Sequence, residues 1–84
     1  MTTPVTTSPQ SFDRELDARG LFCPEPVMLL HREMRFMAVG ERLRVVATDA
    51  STQRDIPKFC EHLGHELLAS GQTDDEFHFL ICKQ

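Results

Sequence analysis

The order of the predicted elements is set at residues 16–26, which read Leu16-Asp17-Ala18-Arg19-Gly20-Leu21-Phe22-Cys23-Pro24-Glu25-Pro26. A short strand over residues 14–18 leads into this segment. Pro26 suits the first turn of a helix, where the N–H that proline lacks would have no partner. Apolar residues then recur at helical spacing, which predicts a helix over residues 27–37 with Val27, Leu30, Met34 and Met37 on one face. We expect Gly40 to end that segment as a turn or a C-cap.

The rest of the chain predicts three more strands and one more helix. A strand is expected over residues 43–48, and a helix follows with Ile56, Phe59, Cys60 and Leu63 on its apolar face. Because Pro57 cannot lie deep inside a helix, we expect the regular part to begin near Asp55. Gly64 closes this helix. A strand over 66–70, a polar turn over 71–75 and a strand over 77–82 complete the chain.

The resulting order is βαβαββ. A strand–helix–strand unit implies parallel pairing, whereas the last two strands imply an antiparallel hairpin. We therefore predict an α/β (α+β) two-layer sandwich with a mixed four-stranded sheet and both helices on one face.

Length and composition indicate one small domain of 84 residues. Residues 1–11 are rich in Thr, Pro and Ser and predict a disordered N-terminal tail, which leaves 12–84 as the domain. No apolar run approaches the roughly 20 residues that span a bilayer, and residues 1–11 lack the pattern of a secretory signal. Three widely spaced cysteines do not form a disulfide framework, so we expect a reducing cytoplasm. We also expect a monomer.

The charge balance bears on partners. The formal net charge is −4, and the nine Lys and Arg form no basic run. Proteins that bind nucleic acid directly gain most of their affinity by neutralising phosphates, so direct, tight binding of nucleic acid is not expected. A local basic patch is expected at most near Arg32 and Arg35.

Cys23 is the residue that most strongly suggests chemistry. It precedes a predicted helix N-terminus, whose free N–H groups and positive dipole end favour a thiolate. We therefore expect the pKa of Cys23 to lie below its usual value, with help from Arg19 and opposition from Glu25. Pro26 occupies the position of the second cysteine in a Cys-x-x-Cys motif, so Cys23 suits a group carrier better than a dithiol reductant.

Several other residues allow two interpretations. Cys60 lies on an apolar helix face and Cys82 near a strand end, where packing explains both; a redox pair of Cys23 with either is the weaker alternative. Met28 suits either the core or an exposed contact beside Cys23. Asp49, Arg54 and Asp55 either cap the second helix and form a local ion pair, or form a polar rim in which Arg54 helps to hold an anionic persulfide. A zinc site from Cys60, His62 and His65 has the wrong spacing, and neither a metal nor a cofactor is expected.

Motifs along most of the chain resemble one known family. Leu16-Asp17-x-x-Gly20-x-x-Cys23-Pro24-x-Pro26 is followed at the same spacing by Thr52-x-Arg54-Asp55-Ile56-Pro57-x-Phe59-Cys60. Together these motifs are similar to the TusA/SirA-like sulfur-carrier family, and most of all to its TusA branch, over about residues 12–83. The chain departs from the family at His31, where a basic residue is common, and at His62, where an apolar one is common.

This resemblance implies a cytoplasmic sulfur carrier with a two-layer α/β fold. Cys23 would accept persulfide sulfur from a cysteine desulfurase and pass it to a downstream acceptor of a relay, which in the TusA branch ends in 2-thiouridine at the tRNA wobble position. It would act as a sulfurtransferase-type carrier rather than as a stand-alone enzyme. The supporting and partner-binding residues would be Pro24, Glu25, Pro26, Met28, Arg32, Arg35, Asp49, Arg54 and Asp55. The alternative is a regulatory or protein-interaction module that does not use its cysteine for transfer.

Overall fold

The computed structural model describes residues 11–84 and contains the six elements in the predicted order. They are β1 (Arg14–Ala18), α1 (Glu25–Phe36), β2 (Arg42–Ala47), α2 (Thr52–Leu63), β3 (Glu66–Thr73) and β4 (Glu76–Cys82). The predicted tail falls, apart from its last residue, on residues 1–10, which lie outside the described part. No helix within residues 11–84 is long and apolar enough to cross a membrane.

The four strands form one mixed sheet in the order β1-β2-β4-β3. β1 pairs with β2 in parallel, and β4 pairs with both β2 and β3 in antiparallel fashion. A parallel pair needs a crossover connection, which α1 provides. The predicted two-layer α/β sandwich is confirmed.

One hydrophobic core lies between the sheet and the two helices. Leu30 and Met34 of α1 and Ile56 and Phe59 of α2 are buried in it against inward-facing strand residues. The opposite face of the sheet carries ion pairs, such as Arg44 with Glu15. Both helices therefore cover the same face, and the connections around Cys23 lie at one end of this layer.

α1 begins two residues earlier than predicted and ends one residue earlier. Pro24 occupies the N-cap position and its carbonyl oxygen accepts a hydrogen bond from the Met28 N–H at 3.1 Å. Both prolines thus help to start the helix. Gly40 belongs to the following turn, with φ of +93°. It does not cap α1, because the helix ends at Phe36 and Met37 occupies the C-cap position.

α2 differs more from its prediction. It is regular from Thr52, and Pro57 lies inside it. Proline removes one backbone hydrogen bond, but Ile56, Phe59 and Cys60 are all buried on the face that packs on the sheet. Their burial outweighs the lost bond. Gly64 ends the helix in the left-handed conformation, as predicted.

The predicted polar turn over residues 71–75 is mostly strand. Residues 71–73 pair with residues 76–78, so that only Asp74 and Asp75 remain as the turn. Asp74 has φ of +54°, a conformation that Asp tolerates better than most residues. Backbone pairing with β4 needs no apolar side chain, which is why the polar composition of 71–73 was misleading.

Candidate functional site

Cys23 lies in the connection between β1 and α1, and its side chain is exposed. Backbone bonds close this loop: the Leu21 N–H donates to the Ala18 carbonyl at 3.3 Å, and the Glu25 N–H donates to the Phe22 carbonyl at 2.9 Å. Gly20 has φ of +80°, which favours glycine at this turn. The backbone hydrogen bonds of this loop therefore fix the position from which Cys23 is exposed.

The sheet topology brings Asp49 to Cys23. β1 and β2 are parallel neighbours, with Ala18 opposite Ala47, so the segments that follow the two strands leave the sheet at the same edge. Asp49 Oδ2 accepts a hydrogen bond from the Cys23 N–H at 2.8 Å. Residues 26 positions apart in the chain thus meet because of parallel pairing.

Asp49, Arg54 and Asp55 combine features of both interpretations, the capping of α2 with a local ion pair and a polar rim beside Cys23. Asp49 Oδ1 accepts from the Ser51 N–H at 3.0 Å, so this carboxylate orders the start of α2 as well as the Cys23 loop. Arg54 Nε donates to Asp55 Oδ1 at 3.0 Å, which is the expected local ion pair. The same Asp55 carboxylate lines the groove beside Cys23, and its interaction with the thiol lowers the pKa of Asp55. Cys23 therefore lies beside two carboxylates.

These carboxylates reverse the predicted direction of the Cys23 pKa. The pKa of the Cys23 thiol is raised, chiefly by its hydrogen bond to Asp55, then by partial desolvation and the negative charge of Asp55; Arg54 opposes the shift and Asp49 adds to it. Arg19, expected to help the thiolate, instead pairs with Asp17 at 2.9 Å and Glu76 at 3.3 Å. The expected low pKa was wrong, because Asp55 and Asp49, which are distant from Cys23 in sequence, both raise the pKa of its thiol.

The same hydrogen bonds act on the two carboxylates. Donation by the Cys23 thiol and by Arg54 lowers the pKa of Asp55. Donation by the backbone N–H groups of Ser51 and Cys23 lowers the pKa of Asp49. Both groups are therefore ionised at neutral pH.

A mostly apolar groove opens beside Cys23 between α1 and α2. Its volume is about 340 Å³, and it is lined by Cys23, Pro24, Val27, His31, Asp55, Lys58, Phe59, His62 and Leu63. The rings of His31 and Phe59 meet edge to face with centroids 4.8 Å apart. His31 and His62, the two departures from the family pattern, thus lie in one groove.

Two large apolar side chains close to Cys23 in the chain are exposed to solvent. Phe22 is 70% exposed and Met28 is 60% exposed, so Met28 belongs to the surface and not to the core. Arg32 and Arg35 are exposed further along α1. Large apolar side chains that remain in solvent beside a reactive group are typical of a protein contact.

The remaining predicted residues divide between support and surface. Pro26 is buried and belongs to the first turn of α1, so its contribution is structural. Pro24 lines the groove, and Glu25 is exposed in the first turn. Lys58 is not among the residues predicted from the sequence, although it also lines the groove. It lies four residues before His62, and this spacing, which places both on one face of α2, was the signal in the sequence.

The other two cysteines have different surroundings. Cys60 is buried in the core, and burial raises the pKa of its thiol to about 11. Cys82 is partly exposed at the end of β4. Within residues 11–84, no group of three His, Cys, Asp or Glu side chains is placed to hold a metal ion.

Comparisons with known proteins agree on one family. Residues 14–83 match the family described as Sulfurtransferase TusA. Two relatives are named Sulfur carrier protein TusA. That of Pseudomonas syringae pv. syringae is 57% identical over 72 residues, or 86% of each chain. That of Pseudomonas putida strain GB-1 is 56% identical over 86% of this chain and 90% of its own.

A solved structure supports the fold. The crystal structure of a SirA-like protein from Desulfitobacterium hafniense superposes with a TM-score of 0.75 at 19% identity, covering 83% of this chain and 96% of that one. At this identity the likeness concerns the fold alone.

Proposed function

Since this chain belongs to the TusA sulfur-carrier family, we propose that it carries sulfur as a persulfide on Cys23. A cysteine desulfurase is the donor, and a downstream relay protein is the acceptor. The sulfur is used for 2-thiouridine at the tRNA wobble position. Because persulfide exchange needs free thiols, the protein works in the cytoplasm.

The observation that carries this proposal is the difference in solvent exposure among the three cysteines. Cys23 is exposed on a loop held by hydrogen bonds, whereas Cys60 is buried and Cys82 is partly buried. A carrier must offer its sulfur to two proteins in turn, and an exposed loop allows that.

The transfer needs no oxidant. The Cys23 thiolate attacks the terminal sulfur of the donor persulfide, a new S–S bond forms at Cys23, and the donor S–S bond breaks. The donor leaves as a thiolate and takes up the proton that Cys23 lost. Attack by an acceptor thiol on the terminal sulfur of loaded Cys23 repeats the same exchange, so the chain ends as it began.

The docking surface proposed for the donor surrounds this sulfur. Phe22 and Met28 offer apolar contact, and Arg32 and Arg35 add positive charge on α1. Pro24 and Glu25 lie at the base of this surface. We expect an acidic or mixed patch on the desulfurase to face it.

The test is sulfur loading followed by intact mass. The protein is incubated with a cysteine desulfurase and L-cysteine, beside Cys23→Ser, Cys60→Ser and Cys82→Ser. Wild type and the last two variants should gain one sulfur atom that dithiothreitol removes. Cys23→Ser should gain none.

Circular dichroism of each variant serves as the folding control. Loading of Cys23→Ser with loss of loading in Cys60→Ser or Cys82→Ser would contradict the assignment. If no cysteine is loaded while Cys23→Ser and wild type bind the desulfurase equally, the protein is an interaction module rather than a carrier.

A further inference from the structure

The surroundings of Cys23 are acidic on the side of α2. Asp49 Oδ2 accepts a hydrogen bond from the Cys23 N–H at 2.8 Å, and Asp55 lines the same groove as Cys23. The Asp55 side chain is only 18% exposed, whereas its ion-pair partner Arg54 is 67% exposed. The carboxylate is thus held beside the sulfur, and its counter-ion extends into solvent.

We propose that Asp55 is a positioning residue for sulfur release, which holds resting Cys23 as a neutral thiol and disfavours the persulfide anion on loaded Cys23. This inference rests on the proposed function, because it concerns the state that Cys23 reaches as a carrier. It assigns Asp55 a role in passing sulfur on rather than in binding a partner.

The loaded and unloaded states of Cys23 differ in charge. A persulfide is more acidic than the thiol from which it forms, so at neutral pH loaded Cys23 carries a negative charge and unloaded Cys23 does not. The exchange is Cys23–S–S⁻ + R–SH → Cys23–SH + R–S–S⁻. The bond to the terminal sulfur breaks at Cys23 Sγ, which keeps the electron pair and takes up the proton of the acceptor thiol.

Asp55 acts on the two ends in opposite directions. Beside the persulfide it places like charges together, which raises the free energy of the loaded state. Beside the thiol it accepts a hydrogen bond, which lowers the free energy of the unloaded state. Both effects favour release of the sulfur. The raised pKa of the unloaded Cys23 thiol reflects the same preference for a neutral group beside Asp55.

The other charged groups near the sulfur do not cancel this effect. Asp49 adds to it, and Arg54 opposes it from an exposed position that already pairs with Asp55. His31, Lys58 and His62 line the groove and can offset part of the acidic charge. Because the site is solvent-exposed, we expect a moderate effect that salt weakens.

The experiment measures Asp55→Asn, which keeps the shape of the side chain and removes the charge. Alkylation of Cys23 by iodoacetamide is followed against pH in a Cys60→Ser/Cys82→Ser background. Asp55→Asn should raise the alkylation rate at pH 7.5 by roughly three- to tenfold. Raising NaCl should speed wild type and leave Asp55→Asn nearly unchanged, which a merely structural role of Asp55 would not produce.

A second readout tests release. Each protein is equilibrated with glutathione and glutathione persulfide, and the loaded fraction is read by intact mass. Asp55→Asn should hold sulfur more strongly, with the exchange constant shifted toward the loaded form by a similar factor. Glu61→Gln, the same change of charge on an exposed residue of α2 outside the groove, is the matched control and should behave as wild type.

Equal alkylation rates and equal exchange constants for Asp55→Asn and wild type would overturn the inference, as would tighter holding of sulfur by wild type. Neither readout uses a desulfurase. Failure of enzymatic loading at Cys23 would therefore count against the proposed function and would be distinguishable from failure here.

Discussion

The three cysteines differ in how far solvent and neighbouring charges control each sulfur. Cys23 is exposed and lines the same groove as Asp55, whereas Cys60 is buried in the hydrophobic core. Burial alone raises the pKa of Cys60 to about 11. The pKa values of the Cys23 and Cys60 thiols are therefore raised for different reasons, and burial also keeps reagents away from Cys60.

This difference predicts the order of chemical modification. At pH 7.5 roughly one Cys60 thiol in a few thousand is ionised, and reagent cannot reach it in the folded protein. Peptide mapping after brief iodoacetamide treatment should show Cys23 modified and Cys60 unmodified, with Cys60 reacting fully in guanidinium chloride. Reaction of Cys60 as fast as Cys23 in native protein would contradict the described burial.

At the scale of the elements, α1 is capped by a residue that follows the last strand. Lys83 Nζ donates to the carbonyl oxygens of Met34 at 2.5 Å and Met37 at 2.7 Å. These carbonyls lie at the negative end of the helix dipole, and a cation there is favourable. The bond ties the C-terminus of α1 to β4.

Removing this cap should lower stability without changing the Cys23 loop. Lys83→Met keeps the aliphatic stem and removes the ammonium, so we expect the free energy of unfolding to fall by about 1–2 kcal/mol. Urea denaturation measures it. Lys58→Met removes an exposed ammonium and serves as the control, and an equal loss in both variants would refute the capping role.

At the scale of the whole molecule, charge separates protein partners from nucleic acid. The chain has thirteen Asp and Glu against nine Lys and Arg, which gives the net charge of −4. Arg32 and Arg35 on α1 are a local exception near the Cys23 loop. A single short basic face suits docking to an acidic protein surface better than neutralisation of many phosphates.

Binding titrations at physiological salt test this balance. We expect measurable binding to the desulfurase and none to bulk tRNA. Arg32→Glu/Arg35→Glu should weaken desulfurase binding and sulfur loading, with a larger loss at low salt because charges there are less screened. Replacement of Glu66, exposed at the start of β3, by Lys is the control for altered charge. Tight binding of tRNA without binding of the desulfurase would overturn the carrier proposal.

Local patterns in the chain were sufficient for the order and type of the elements. The alternation in β2 and β4 and the helical spacing from Val27 to Met37 follow from geometry within each element. Of the positions predicted on the core face of α1, Leu30, Met34 and Met37 are buried and Val27 is partly buried. The motifs around Cys23 likewise pointed to the family that the comparisons show. Element ends were less predictable, since Pro57 and residues 71–73 are held by packing and pairing with distant parts of the chain.

The electrostatics of Cys23 could not be obtained from local patterns. Its own segment offers a helix N-terminus, Arg19 and Glu25, and these suggested a stabilised thiolate. Parallel pairing of β1 with β2 instead brings Asp49 and Asp55 close to Cys23. Arg19 forms ion pairs with Asp17 and Glu76. Coulomb interactions depend on distance in space, so the charge state of this thiol follows from the folded arrangement of segments far apart along the chain.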